Sequence, residues 1–411
     1  IGDNLPTQVV GAIAYDSQLH TLLVGTGDNS FGGDGISGVG LLYSSDGGMT
    51  WSTATGAPGA SLTFRIVVSP ADATGETVYA ATSKGLFKSS DGGHTYVNED
   101  LPTTPAGYVP NCAGDTTTPL CFFASIVTDV VVKTTTSTSA PAGAVMAVVG
   151  WRAGAKGDLN ANGTPNMSCS LSSVATQCLQ SPQNGIYLST SGAPGSFTYQ
   201  SVSSAANPGT SFAPNSVVGR TALGIASGAG QNNDAVYALV QDAEKFNGCI
   251  DVLDTNLSQT CNATATAEAT RTVLDGLYAS YNFGQSWTKI MDWSQLQQSL
   301  TGSSLQAETG YGPGVQGWYN LWVLPDPTQT DSAGDPTRLM FGLEEIWENN
   351  QNFETTGQNA VNPLTQPYTS QATDNWIVKG RYWNACAGVS VSTGFFLSLI
   401  HISEPTRQAE I

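Results

Sequence analysis

The side chains best suited to chemistry are carboxylates and arginines near the ends of predicted strands. Asp28, Asp34, Asp129, Asp242, Glu344 and Glu345 all occupy such positions. Two carboxylates facing across a cleft hydrolyse glycosidic bonds, with retention at about 5–5.5 Å separation and inversion at about 6.5–9.5 Å. The spacing along the chain does not select a pair. Arg65, in Phe64-Arg65-Ile66-Val67, and Arg220 fall on predicted strands. A guanidinium there would clamp a carboxylate through paired N–H donors. The plainer reading is packing or ion pairing between neighbouring sheets. Asp158, Asn160 and Asn162 match the first half of a calcium loop, whose twelfth position is Cys169 instead of Glu. An Asx-rich turn is the plainer reading, so calcium is the one cofactor to consider, in a structural role. There is no phosphate loop, Ser-His-Asp arrangement or redox C-x-x-C motif.

The elements that must position these groups announce themselves through one repeated turn. Ser44-Ser45-Asp46-Gly47-Gly48-Met49-Thr50-Trp51 recurs 45 residues later as Ser89-Ser90-Asp91-Gly92-Gly93-His94-Thr95-Tyr96. A third copy, Ser280-Tyr281-Asn282-Phe283-Gly284-Gln285-Ser286-Trp287, has Asn for Asp and Ser for Thr. The Asp side chain can accept backbone N–H groups one or two residues on, and the glycines permit positive φ. The hydroxyls close the loop, and the aromatic ring starts the next strand. Ser44, Asp46, Gly48, Thr50 and Trp51 are therefore expected to be structural. So are Ser89, Asp91, Gly93, Thr95 and Tyr96, and Ser280, Asn282, Gly284, Ser286 and Trp287.

Each turn follows a short β-rich run, and four strands per repeat of about 45 residues mark a propeller blade. The turn resembles the Asp-box, or BNR repeat, of sialidase-like, sortilin-like and xyloglucanase-like β-propellers. Likeness to secreted bacterial proteins of this kind also covers Leu5 to Asp16, Val24 to Asn29 and Gly342 to Glu348. The expected fold is all-β: a β-propeller of four-stranded blades with Asp-box turns. About five to six blades are expected to be present, truncated at both ends. The blades are placed at about 5–60, 61–103, 122–204, 216–292 and 312–375, with another starting at 376–396. A short helix is expected over Trp293 to Leu300. Residues 397–411 resemble a translated sequencing adapter and are set aside from the fold. The resemblance to sialidases also implies an arginine triad, but Val67 stands where that family's Arg-Ile-Pro motif would have proline.

Composition narrows the partners. Charged residues make up only 11% of the 411, and 14 basic residues face 32 acidic ones for a net charge of −18. Such a surface repels nucleic acid and anionic membrane. No run approaches the 18 or more apolar residues of a membrane span. No signal peptide is visible. Cys112 and Cys121, Cys169 and Cys178, and Cys249 and Cys261 form short-range pairs in polar stretches, with Cys386 left over. Such pairs predict local disulfides and an oxidising, extracellular or periplasmic compartment. The function expected is a secreted or cell-envelope scaffold that binds a glycan or a surface protein. The alternative is a glycoside hydrolase resembling sialidases or xyloglucanases.

Overall fold

The computed structural model describes residues 4–28, 36–101, 126–150, 184–200, 212–213, 217–243, 245–246, 272–298, 300–307, 312–350, 362–368 and 376–380. These form five antiparallel sheets of four strands, each an up-and-down meander in chain order. The first holds β1 (Val10–Asp16), β2 (Thr21–Thr26), β3 (Leu41–Ser44) and β4 (Ser52–Thr53). The second holds β5 (Thr63–Val68), β6 (Thr77–Thr82), β7 (Gly85–Ser90) and β8 (Val97–Asn98). The third holds β9 (Val127–Val132), β10 (Val145–Val149), β11 (Gly185–Ser189) and β12 (Thr198–Tyr199). The fourth holds β13 (Val218–Ile225), β14 (Val236–Asp242), β15 (Leu274–Ser280) and β16 (Thr288–Asp292). The fifth holds β17 (Trp322–Pro325), β18 (Leu339–Gly342), β19 (Ile346–Asn349) and β20 (Trp376–Gly380).

The sheets stack in a row through their first strands, β1 on β5, β5 on β9, β9 on β13 and β13 on β17. Second strands of the inner sheets are covered on both faces, so their apolar residues run at successive positions and not only at alternate ones. β10 and β14 are buried throughout their lengths. Between the first and second sheets, Leu23 and Leu41 meet Ile66, Val78, Ala80 and Phe87. Between the fourth and fifth, Ala222, Leu239 and Leu277 meet Val323, Phe341 and Trp347.

The three turns form as their sequences predict. Ser44 Oγ donates to Asp46 Oδ1 at 2.7 Å and accepts Gly48 N–H at 2.8 Å. Asp46 accepts the Thr50 N–H at 2.9 Å and its hydroxyl at 2.6 Å. Ser89, Asp91, Gly93 and Thr95 repeat the same set at 2.7, 2.9, 2.8 and 2.6 Å. In the third turn Ser280 donates to Asn282 at 3.0 Å and accepts Gly284 N–H at 2.7 Å, while the Asn282 amide donates to Ser286 at 2.8 Å. The glycine at the fifth position of each turn, Gly48, Gly93 and Gly284, has φ between 82° and 90°. In the second and third turns it also faces the preceding sheet. A Cβ at Gly93 would lie 2.5 Å from Leu23 Cδ2, and one at Gly284 2.7 Å from Met146 Cε. The following ring does the same work, since Tyr96 is buried against the first sheet and Trp287 against the third. Trp51, in the first sheet, stays partly exposed.

Two expectations need correction. The protein is all-β, with five four-stranded antiparallel sheets, but they do not close into a propeller. No sheet combines strands from the two ends of the chain, and the first and fifth sheets each keep a face with exposed apolar residues. Closure requires the last sheet to return to the first, and the repeat pattern of a sequence carries no information about that geometry. Disulfide stapling is the second correction. There is no disulfide among the described residues, and Cys112, Cys121, Cys169, Cys178, Cys249, Cys261 and Cys386 all lie outside them. The expected helix is one turn, α1 (Trp293–Leu296), with a capping box between Asp292 and Gln295. No helix among the described residues is long and apolar enough to cross a membrane. Replacing Trp287 by Ala should cost about 3–5 kcal/mol, the range for a large buried aromatic. Trp51→Ala should cost clearly less. Denaturant titration of both variants checks the difference, and equal losses would refute the inter-sheet role of this ring.

Candidate functional site

Strand direction sorts the candidate residues. In each meander the first strand starts, and the turn from second to third strand lies, at the same end of the sheet. The four-strand order puts the Ser-Asp-Gly turns at the other end. At the first of these ends the starts of β5 and β13 bond to the preceding sheet: Thr63 Oγ1 donates to Thr26 O at 3.0 Å, and Asn184 Nδ2 to Val218 O at 2.7 Å. Arg65, Asp129 and Arg220, each the third residue of its strand, therefore come to one end, together with Asp28 after β2 and Glu344 and Glu345 after β18.

Three first strands meet at Asp129. Arg65 Nη1 donates to Asp129 Oδ1 at 3.0 Å and to Leu223 O at 2.8 Å. The Leu223 N–H donates to Asp129 Oδ2 at 2.7 Å. One carboxylate thus ties β5, β9 and β13 together. Burial pushes the Asp129 carboxyl above the ordinary Asp range, against the opposing pull of Arg65 and the backbone N–H groups. Arg220 lies 5.5 Å over the Phe64 ring. Burial lowers its guanidinium to about 10, although Asp129 and Asp28 favour the charged form. Arg65 differs from both. Its side chain is 38% exposed and only Nη1 is engaged among the described residues.

Glu344 and Glu345 form the tight turn between β18 and β19. Glu344 accepts N–H groups from Gly314 at 2.9 Å and from Gln316. Glu345 accepts the hydroxyl of Ser303, and the N–H and hydroxyl of Ser304 at 3.0 and 2.8 Å. Successive carboxylates therefore grip two separate turns of the connection between the fourth and fifth sheets. Both are buried. Burial raises the Glu344 carboxyl to about 7 in spite of its backbone donors.

The structure brings Arg65 and Arg220 together around Asp129, whose pairing across 64 residues has no local signal in the sequence. Asp242 instead pairs with Lys245 at 3.4 Å. Asp34 and the calcium-loop residues Asp158, Asn160 and Asn162 lie outside the described residues. No cluster of His, Cys, Asp or Glu able to hold a metal occurs among the described residues. Trp347 and Trp376 are core residues, leaving Trp322 as an exposed indole. Sequence reasoning passed over Glu99, a buried carboxyl that burial raises to about 7. Nothing around it in the sequence distinguishes it from an exposed strand-end acid.

This fold and site define an all-β protein of stacked four-stranded sheets, with an arginine–carboxylate cluster where the first strands begin. No family model matches the chain, and no match is found among curated proteins. Among solved structures it is similar to the GH74 xyloglucanase of Xanthomonas campestris, at 14% identity over 92% of this chain and a TM-score of 0.45. It is also similar to the GH93 α-L-arabinofuranosidase of Fusarium graminearum, at 11% identity, 91% of this chain, 83% of that one and a TM-score of 0.36. The leech intramolecular trans-sialidase gives 16% identity, 57% of this chain, 29% of that one and a TM-score of 0.28. The chain spans 41% of the length of the xyloglucanase. Membership of the Asp-box propeller family, expected from the turns, is thus not upheld. What stands is a distant, low-identity likeness to glycoside-hydrolase-like chains, in a fold that is not a closed propeller.

The raised carboxyls set a pH dependence. Glu344 and Glu99 rise from 4.5 to about 7 in the folded protein, so the fold binds their protons more tightly than the unfolded chain does. Their contribution to stability is complete below pH 4.5 and is lost as pH rises through about 7. Thermal unfolding should therefore occur at a higher temperature at pH 5 than at pH 8, and Glu344→Gln should reduce that gap. An unchanged gap in the variant would count against the buried, protonated state of Glu344.

Proposed function

We propose that the protein is a binding scaffold, secreted or held in the cell envelope, whose ligand is a glycan or a surface protein. The ligand would engage the end of the sheet row where Arg65 and Arg220 lie. One observation carries this reading: Asp129, Glu344 and Glu345 at that end are buried and engaged by the protein itself, whereas Arg65 keeps exposed N–H donors. A glycosidase needs a carboxylic acid that reaches the leaving oxygen and a second carboxylate on the other side of the sugar. Asp129, Glu344 and Glu345 all have their oxygens turned to backbone, Ser or Arg donors. A forked guanidinium with free donors suits the hydroxyl and carboxyl oxygens of sugars or acidic side chains. No cofactor enters this reading.

The alternative is hydrolysis of a glycosidic bond. The observation in its favour is Glu344, a carboxyl protonated near neutral pH, as a general acid must be. A panel of neutral and carboxylate-bearing oligosaccharides on an array, together with chromogenic glycosides, separates the two. Binding without turnover is expected. Arg65→Lys keeps a cation beside Asp129 and removes the fork, so it should weaken binding about tenfold or more. Turnover of any glycoside that disappears in Glu344→Gln would replace the scaffold reading with the hydrolase.

A further inference from the structure

Among the described lysines Lys133 alone is wholly buried. It directly follows β9, and Asp234 lies two residues before β14, so the two meet at the end of the row opposite Arg65. Lys133 Nζ contacts Asp234 Oδ1, and the Phe283 ring covers it at 5.5 Å. An ammonium has three N–H donors. Among the described residues this one finds a single acceptor, Asp234 Oδ1. Other lysines held by carboxylates are better served. Lys289 reaches both Asp275 and Asp292, and Lys245 reaches Asp242 and the Leu274 carbonyl. Those two side chains also keep contact with water, at 16% and 14% exposure, whereas Lys133 has none. A buried ammonium with spare donors is costly.

The carboxylate is held from one side. Ser137 Oγ also donates to Oδ1, at 2.9 Å, while Oδ2 takes no hydrogen bond among the described residues. The backbone on both sides is fixed. The Lys133 N–H donates to Ala144 O, and the Lys133 carbonyl accepts the Gly143 N–H, each at 2.9 Å. The Asp234 carbonyl accepts the Phe283 N–H at 2.9 Å, and the Asp234 N–H donates to Asn232 Oδ1 at 3.0 Å. Rigid elements thus keep an amine nitrogen against a carboxyl group in a place closed to water on the lysine side. Holding two reactants in this way replaces a bimolecular encounter with an intramolecular one. Excluding water removes the reactant that would reverse amide formation.

We propose that Lys133 and Asp234 join in an intramolecular amide that cross-links the third sheet to the fourth. Nζ attacks Asp234 Cγ, so that an Nζ–Cγ bond forms and the Cγ–Oδ2 bond breaks. Two of the three Nζ hydrogens go to Oδ2, which leaves as water. Nothing is oxidised or reduced, and no co-reactant is needed. The Ser137 hydroxyl steadies Oδ1 while it carries negative charge in the tetrahedral stage, and bonds it afterwards as the amide carbonyl. The Asp234 side chain is 9% exposed, which gives the released water a way out. The product has one N–H where the ammonium had three, so the donors without an acceptor disappear. Two charges are removed from a place that hydrates them poorly. The bond joins residues 101 apart in the chain and restricts the unfolded state as a long-range disulfide does. It lies at the end away from Arg65, so the inference stands apart from the ligand reading.

Intact mass spectrometry of the purified protein, reduced and denatured, tests the proposal. The unaltered chain should be lighter than its sequence by one water. A tryptic digest should contain a branched peptide that joins the segments around Lys133 and Asp234. Lys133→Arg and Asp234→Ala should keep their full sequence masses. Asp234→Asn should form the same amide by losing ammonia, and so converge on the mass of the unaltered protein. The first measurement needs only the unaltered protein, so a variant that fails to fold leaves the test intact. A full sequence mass in the folded, unaltered protein overturns the inference. So does a missing water that persists in Asp234→Ala or maps to one of the Asp-Gly turns, since the dehydration then arises elsewhere.

Discussion

The structure depends on how closely successive sheets approach at their first strands. A Cβ on Gly11 would stand 2.2 Å from the Thr63 carbonyl oxygen, and one on Gly224 2.7 Å from the Val323 carbonyl oxygen. At such crossings the backbone of one sheet touches the next, and any larger residue would force them apart. The close approach explains the site as well. Asp129 can hold Arg65 of the preceding sheet and the Leu223 N–H of the following one only because three first strands lie within reach of one side chain.

The Ser-Asp-Gly turns secure the same spacing from the outer side. Their internal hydrogen bonds fix a shape in which a glycine and an aromatic ring face backward onto the preceding sheet. The third turn shows how much of the pattern is required. Asn282 replaces the acid and donates to Ser286 through its amide, reversing one hydrogen bond but keeping the closure. Phe283 takes the place of the first glycine at a φ of 51°, whereas Gly284 is retained where it meets Met146. The second glycine is kept in all three turns, whereas the first gives way to Phe283 at a positive φ.

This difference between local and distant causes governs what the sequence reveals. The strands around Thr63, Gly85 and Gly276 and the three turns are legible because each is determined by alternation and turn chemistry within a dozen residues or so. The open row was not legible, because closure is a property of accumulated angles between sheets. The roles of the acidic residues were not legible either. Asp129, Asp242, Glu344 and Glu345 look alike as strand-end carboxylates, yet one ties three sheets, one pairs with Lys245, and two hold a connection. Their partners are set by packing.

Scarcity of cations gives these pairings their weight. The chain has 14 basic residues for 32 acids. Among the described residues, Lys133 is wholly buried against Asp234, joining the third sheet to the fourth beneath the Phe283 ring. Lys289 is held between Asp275 and Asp292, and both carboxylates raise its ammonium above the ordinary range, more than offsetting burial. Arg338 bridges Asp326 and Glu348 within the fifth sheet. Each of these cations neutralises a carboxylate that the fold has drawn out of water, where an unpaired charge is costly. Among the described residues Arg338 is as exposed as Arg65, but it engages Nε, Nη1 and Nη2, whereas Arg65 engages Nη1 alone.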